Sequence, residues 1–184
     1  MNSKTSRRNF LKSTSFIGAS LIVGFKFNSP NLIIAKETSD LDPKLYVIIS
    51  PNNTITFKLP NIELGQGTHT GQAMIIAEEL EVNLDKVNVI NAPPDPRYGR
   101  LNTGGSASIR NNFVKLLKVG AATKEILIKA ASSKWNVPVD ECFASNGTVI
   151  HSKSNRSLTF GELANKATKL EIPSNPKLKN NKEY

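Results

Sequence analysis

Apolar positions in this chain alternate in some stretches and recur at helical spacing in others. Residues 45–50, LYVIIS, form a short apolar run and predict a strand. Pro51-Asn52-Asn53 is turn chemistry, and residues 54–59, TITFKL, alternate as the second strand of a hairpin. The period then changes. In residues 61–80, NIELGQGTHTGQAMIIAEEL, Ala73, Ile76, Ala77 and Leu80 fall at i, i+3, i+4 and i+7, which predicts a helix with one apolar face. Thr68 or Thr70 is placed to cap it, and Glu78, Glu79 and Glu81 are expected to face water. Residues 87–90 predict a third strand. Residues 91–103 form a loop stiffened by three prolines. It ends in a second glycine-rich turn, TGGSAS, that opens a long helix from about residue 109 to 135.

Val114, Leu117, Ala121, Ile128 and Ala131 give that helix its expected apolar face, and Gly120 marks a weak point or a close helix contact. Ser106 or Ser108 suits its N-cap. Residues 141–144 and 148–151 predict a hairpin across Asn146-Gly147. Residues 158–170 predict a last helix, with Thr159 and Glu162 at capping-box spacing. The expected fold class is α+β, a small mixed sheet with two or three packed helices in one domain.

Before this domain the chain is of another kind. Ser6-Arg7-Arg8-Asn9-Phe10-Leu11-Lys12 resembles the twin-arginine export signal, and a weakly apolar run follows from 16 to 27. That run is too short and too weak for a membrane span. Segment 1–35 is therefore read as a signal segment and 36–44 as a linker. The folded domain is expected over 45–172, with a polar tail, 173–184, that cannot build a core. The resemblance implies a periplasmic protein, tethered by its leader if Ala35 is not a cleavage point. Membrane contact is expected through the leader only.

Charge narrows the function classes. The formal charge is +9, but five lysines and arginines precede Ala35 without a single acid, leaving +4 for the rest. No basic stripe interleaved with aromatics occurs, so nucleic acid is not an expected partner. The one cysteine, Cys142, cannot form an internal disulfide or hold an iron–sulfur cluster, and reads as a small core residue. His69 and His151 lie far apart in sequence; His69 is placed to contact a ligand, and His151 is expected at an exposed strand end. No spacing suggests a metal cluster, a nucleophile elbow or an acid–base pair.

Two glycine-rich turns that each open a helix remain. Gly65-Gln66-Gly67 lets the backbone bend and lets a ligand approach closely. A helix N-terminus offers unpaired amides to an anion, and two could converge on one pyrophosphate. The spacing matches neither a dinucleotide-binding fingerprint nor a P-loop. Each turn alone reads first as an ordinary connection, the GQG turn as a strand-to-helix turn and the TGGSAS turn as a capped helix start.

Together, GQGTHTGQAMIIAEEL, NAPPDPRYG, TGGSASIR, GAATKEILIKAASSKWNVP and NGTVIH resemble the molybdopterin-binding large subunit of the xanthine dehydrogenase/aldehyde oxidase family, nearest the isoquinoline 1-oxidoreductase beta-subunit type. The resemblance implies a domain that clasps molybdopterin cytosine dinucleotide, and so molybdenum. Gly65, Gln66, Gly67, Thr68 and His69 would form one clamp, and Thr103, Gly104, Gly105, Ser106 and Ser108 the other. Leu64 stands where many relatives have methionine. Family members continue for several hundred residues more, with the rest of the cofactor surface and a general-base glutamate. The resemblance therefore implies an N-terminal part of a subunit. Such a part would act with the remainder of the subunit and a small iron–sulfur partner in oxidative hydroxylation of an aldehyde or N-heterocycle. Alone it is expected to be inactive and to self-associate through apolar surface. The alternative is an exported, non-catalytic binding or scaffold domain.

Overall fold

A computed structural model describes residues 43–184; the leader 1–35 and most of the linker lie outside that range. A 3-10 turn, Pro43–Leu45, leads into β1 (Val47–Ile49), β2 (Ile55–Leu59), α1 (Thr68–Leu80) and β3 (Val87–Asn91). There follow α2 (Ser108–Trp135), β4 (Cys142–Ser145), β5 (Thr148–His151), β6 (Ser157–Thr159) and α3 (Phe160–Ala167). The α+β class holds, with two three-stranded sheets in place of one.

The first sheet, in the order β1-β2-β3, is mixed. β1 and β2 are the expected hairpin, with Val47 opposite Phe57. β3 runs parallel to β2, with Ile55 opposite Val87. Parallel neighbours need a crossover, and α1 supplies it. The pairing has a consequence for the loops. Both β2 and β3 end on the same edge, so the GQG turn and the proline loop that leads to TGGSAS leave the sheet side by side. Ligands of such parallel units sit outside the carboxyl ends of the strands.

The second sheet, β4-β5-β6, is antiparallel. Asn146 and Gly147 take positive φ of 47° and 80°, as the two-residue hairpin turn requires. Leu158 and Thr159, expected in the last helix, instead belong to β6 and pair with β5, and α3 begins at Phe160. The capping box is present: Glu162 N donates to Thr159 Oγ1 at 3.3 Å and Thr159 N to Glu162 Oε2 at 2.8 Å.

The core joins the sheets through the helices. β2 alternates, burying Ile55, Phe57 and Leu59. Ala73, Ile76, Ala77 and Leu80 of α1 are buried as expected. On α2 the buried stripe carries Leu116, Val119, Leu127 and Ala130, beside the expected Leu117, Ala121 and Ala131. Val114 is 59% exposed, because the first turns of α2 run past the core towards the loops. Gly120 is the closest helix contact. A Cβ there would sit 2.6 Å from Ile76 O. Cys142 is a free, buried thiol, pushed up from its ordinary value by burial.

Two polar side chains depart from expectation. Glu79 is completely buried, not facing water. The 173–184 tail lies over it: Lys179 N donates to Glu79 at 3.2 Å, the Tyr184 hydroxyl donates to the same carboxylate, and Lys124 Nζ lies 3.8 Å away. Anchoring a buried carboxylate gives the polar tail a place that its composition could not reveal. His151, expected to be exposed, is 4% exposed. Its Nε2–H donates to Glu141 at 2.8 Å and its Nδ1 lies 2.6 Å from Ser154 Oγ, so the hairpin turn closes over it.

Candidate functional site

The GQG turn tightens because Gly65 and Gly67 adopt φ of 95° and 78°. Gly67, not Thr68 or Thr70, is the N-cap of α1, and no side chain caps from that position. The amides there are nevertheless engaged. The carboxylate of Glu63, which lies ahead of the Gly67 N-cap, accepts from Gly65 N at 2.7 Å, Gly67 N at 2.9 Å and His69 N at 2.9 Å. The expected offer of open amides to an anionic ligand is therefore already taken up by the chain's own carboxylate. The amides of His69 and Gly67 hold that carboxyl below the usual range. A depressed folded-state value means that its contribution to stability is complete above pH 4.5 and is lost as pH falls through the lower value. The amide resonances of Gly65, Gly67 and His69 are expected to titrate together below pH 4.5; a common midpoint at or above 4.5 would contradict this capping role.

Gln66 folds back on its own turn. Its Oε1 accepts from Leu64 N at 2.5 Å and its Nε2 donates to Ile62 O at 3.1 Å. His69 points to the strand exit, where its Nε2–H donates to Asn61 O at 2.9 Å. Its part here is to brace the loop.

In the second turn, Gly105 and Ser106 adopt φ of 62° and 52°, and α2 begins after Ala107 with no side-chain cap. Neither Ser106 nor Ser108 plays the expected capping role. Among the described residues their hydroxyls engage no hydrogen-bond partner. Thr103 Oγ1 accepts from Ile62 N at 2.9 Å, which clips the second turn to the first loop.

The two turns face each other across one open cleft of about 900 Å³. Gln66, Gly67 and Thr68 stand on one side, and Thr103, Gly104, Ser106 and Ser108 on the other, with Leu64 and Ile109 at its apolar margins. Of the ten residues that the sequence singled out, seven line this cleft. Gly65 shapes the first turn, His69 braces it, and Gly105 lines the neighbouring cleft behind the second turn.

Beneath both turns lies a buried amide cluster that the sequence reading missed. Asn61, 2% exposed, ends the β2 exit. Its Oδ1 accepts from Gln72 Nε2 at 2.7 Å and from Asn112 Nδ2 at 2.9 Å, and its Nδ2 donates to Asn102 O at 3.1 Å. Gln72 and Asn112 each also donate to Ser108 O, at 3.1 and 2.9 Å. Both loops and both helix starts are thus joined by one network. Gln72 Oε1 is left without a partner, because turning the amide would set an oxygen against two acceptors. The available signal was Gln72 on the apolar face of α1, one residue before Ala73. Asn61→Ala is expected to lower the unfolding free energy by about 1–3 kcal/mol, since it strands buried donors. Chemical denaturation checks this, and a change under about 0.5 kcal/mol would rule out a shared network.

Among the described residues no group of three or more His, Cys, Asp or Glu side chains could hold a metal ion, and no helix is long and apolar enough to cross a membrane. What the cleft offers is backbone, hydroxyls and one amide side chain. This donor set suits a polar, oxygen-rich organic group.

The fold is shared with quinoline 2-oxidoreductase from Pseudomonas putida 86, at a TM-score of 0.53 and 19% identity, over 67% of this chain and 16% of that one. Residues 2–184 match the molybdopterin cofactor-binding domain family, and the chain belongs to it. It is 30% identical over 170 residues to the isoquinoline 1-oxidoreductase subunit beta of Brevundimonas diminuta, which covers 87% of this chain and 22% of that protein. It is 29% identical over 167 residues to a membrane-bound aldehyde dehydrogenase [pyrroloquinoline-quinone] of Gluconacetobacter polyoxogenes, covering 88% and 21%. The chain thus spans little more than a fifth of the length of these curated relatives.

Proposed function

We propose that this chain binds molybdopterin in its cytosine dinucleotide form, as one part of an oxidoreductase that hydroxylates an aldehyde or an N-heterocycle. Membership of the molybdopterin-binding family supports the cofactor class, and the kinship with isoquinoline 1-oxidoreductase subunit beta supports the substrate class. The observation that carries the reading to particular residues is the shared cleft, with Gln66 facing Ser106 and Ser108 across it.

The residues fit such a group unevenly, and the unevenness is informative. The second turn fits well. Its hydroxyls at Ser106 and Ser108 have no partner among the described residues, α2 starts without a side-chain cap, and a Cβ on Gly104 would meet nothing within 4 Å. The first turn fits through Gly67 and Thr68 but not through open helix amides, because Glu63 holds them. Gln66 would bind with its remaining donor and acceptor capacity, or by releasing Leu64 N.

When bound, the cofactor supplies a molybdenum centre for two-electron oxidation. This chain's residues bind and orient it. Ser106, Ser108 and the backbone about Gly104 hold polar oxygens, and Leu64 and Ile109 shield one side from water. None of the described residues in the cleft is placed to move a proton for a substrate. That task, the remaining cofactor surface and electron transfer are assigned to the rest of the large subunit and to an iron–sulfur subunit. The apolar rim agrees with cover by another polypeptide: Leu64 is 74% exposed and Ile109 36%. The Ser6-to-Lys12 motif supports export by the twin-arginine route.

Purified from its own host with whatever polypeptides accompany it, the chain is expected to carry molybdenum and a pterin that releases CMP on acid hydrolysis. An assembly free of both refutes the reading. A pterin that releases no CMP refutes the cytosine form alone.

A further inference from the structure

The TGGSAS turn has a second side. Behind it opens another cleft, of about 1080 Å³, which shares Gly104 and Ser108 with the first. Its other walls carry Arg100, Lys115, Asn102 and Asn111. The two clefts differ in charge. The inter-loop cleft has no cation on its walls and adjoins the loop that holds the Glu63 carboxylate. The cleft behind the turn has two cations and no carboxylate.

Lys115 is held in an uncommon setting. Its Nζ donates to Tyr98 O at 3.0 Å and lies 5.5 Å from the centre of the Tyr46 ring. Burial holds its pKa below the ordinary lysine value. Among the described residues, no carboxylate forms an ion pair with Lys115 or with Arg100. A partly desolvated ammonium is unfavourable unless a counter-charge is near. One carbonyl and a ring face answer only part of that need. Gly99, with φ of 82°, keeps the space beside the ammonium open: a Cβ there would lie 3.9 Å from Nζ.

We propose that this cleft is a phosphoryl-anion site, in which Lys115 and Arg100 grip phosphate oxygens against the Gly104–Gly105 backbone. The anion has two possible sources. One is the phosphates of a dinucleotide whose ring system lies between the loops, a source that rests on the cofactor reading. The other is a free phosphate or pyrophosphate. In either case the negative charge lies behind the second turn and not at the N-terminus of α1, where Glu63 already neutralises the amides.

The full 184-residue chain, titrated with inorganic pyrophosphate and followed by amide NMR, tests this. Saturable shifts are expected at Gly104, Gly105 and Asn111, with Gly67 and His69 unmoved. Lys115→Gln and Arg100→Gln are each expected to weaken binding about tenfold, and Lys115→Arg to retain it. Arg100 is exposed, so its substitution tests the site without risk to the fold. Shifts centred on Gly67 and His69, no saturable shifts, or undiminished affinity in both glutamine variants would overturn the proposal. The sources separate in the assembly isolated from the host. If Lys115→Gln loses CMP-releasing pterin, the dinucleotide is the source. If pterin content is unchanged while pyrophosphate binding is lost, it is a free anion. A host assembly without pterin whose chain still binds pyrophosphate through Lys115 would leave this site standing and refute the cofactor reading.

Discussion

Gly120→Ala is expected to lower the unfolding free energy by about 2–3 kcal/mol, although alanine is the better helix former. The added methyl would lie 2.6 Å from Ile76 O and 2.7 Å from Glu79 Cβ, with Leu80 N at 3.3 Å. Two of these atoms are backbone, so no rotamer change relieves the overlap. The helices must move apart, and α1 carries the first turn with it. Reduced cofactor content should therefore accompany the loss of stability. Gly71→Ala is the control. It meets Ile109 Cδ1 at 2.9 Å, the far end of a flexible side chain, and should change stability by less than about 1 kcal/mol in either direction. Urea denaturation of both variants decides the matter. Equal effects at the two positions would mean that the α1–α2 contact is not as close as described.

Gly104→Leu is expected to do the reverse: to leave stability nearly untouched and to lower cofactor content at least about tenfold, a difference of roughly 1.4 kcal/mol in binding. Gly104 does not adopt a left-handed backbone, and a Cβ on it would meet no atom of the chain within 4 Å. Neither conformation nor packing in this chain therefore calls for glycine there. What its lack of a side chain provides is open space, on a turn that borders both clefts. Gly105 could not separate these effects, because its φ of 62° would strain any replacement. The readouts are molybdenum and CMP per chain in the host assembly, beside a melting curve. Full cofactor content in a normally melting Gly104→Leu variant would show that the ligand does not enter at this turn.

Glu63 changes the meaning of the first glycine-rich turn. A carboxylate accepting three amides preorganises the loop before any ligand arrives, so that Gly67 and Thr68 already face the second turn. The cost is that α1 has little attraction left for a phosphate. A clamp with two equivalent anion-binding helix ends is replaced by one with unlike sides.

Much of this was legible in local patterns. The βαβ unit's strands and its helix follow from periods of two and 3.6, the Asn146-Gly147 hairpin from turn chemistry, and the α3 start from the Thr159–Glu162 spacing. Thr68, Thr70, Ser106 and Ser108 suit caps by residue type but do not cap, since capping depends on where the chain approaches the helix. The buried Asn61, Gln72 and Asn112 were hidden for a related reason. An amide in sequence does not disclose the partners that make its burial tolerable.

The chain's residue order by itself determined the order of the elements apart from β6, the two glycine turns and, through ordered motifs, membership of a molybdopterin-binding family. Only the tertiary structure decided that β3 lies parallel to β2. That pairing sends both turns off one sheet edge and makes one cleft of them. It also decided that Glu63 occupies one helix end and that Lys115 has no counter-ion among the described residues. Such facts depend on where loops and neighbouring elements bring groups together in space, and periodicity and propensity carry information only about the regular element in which they occur.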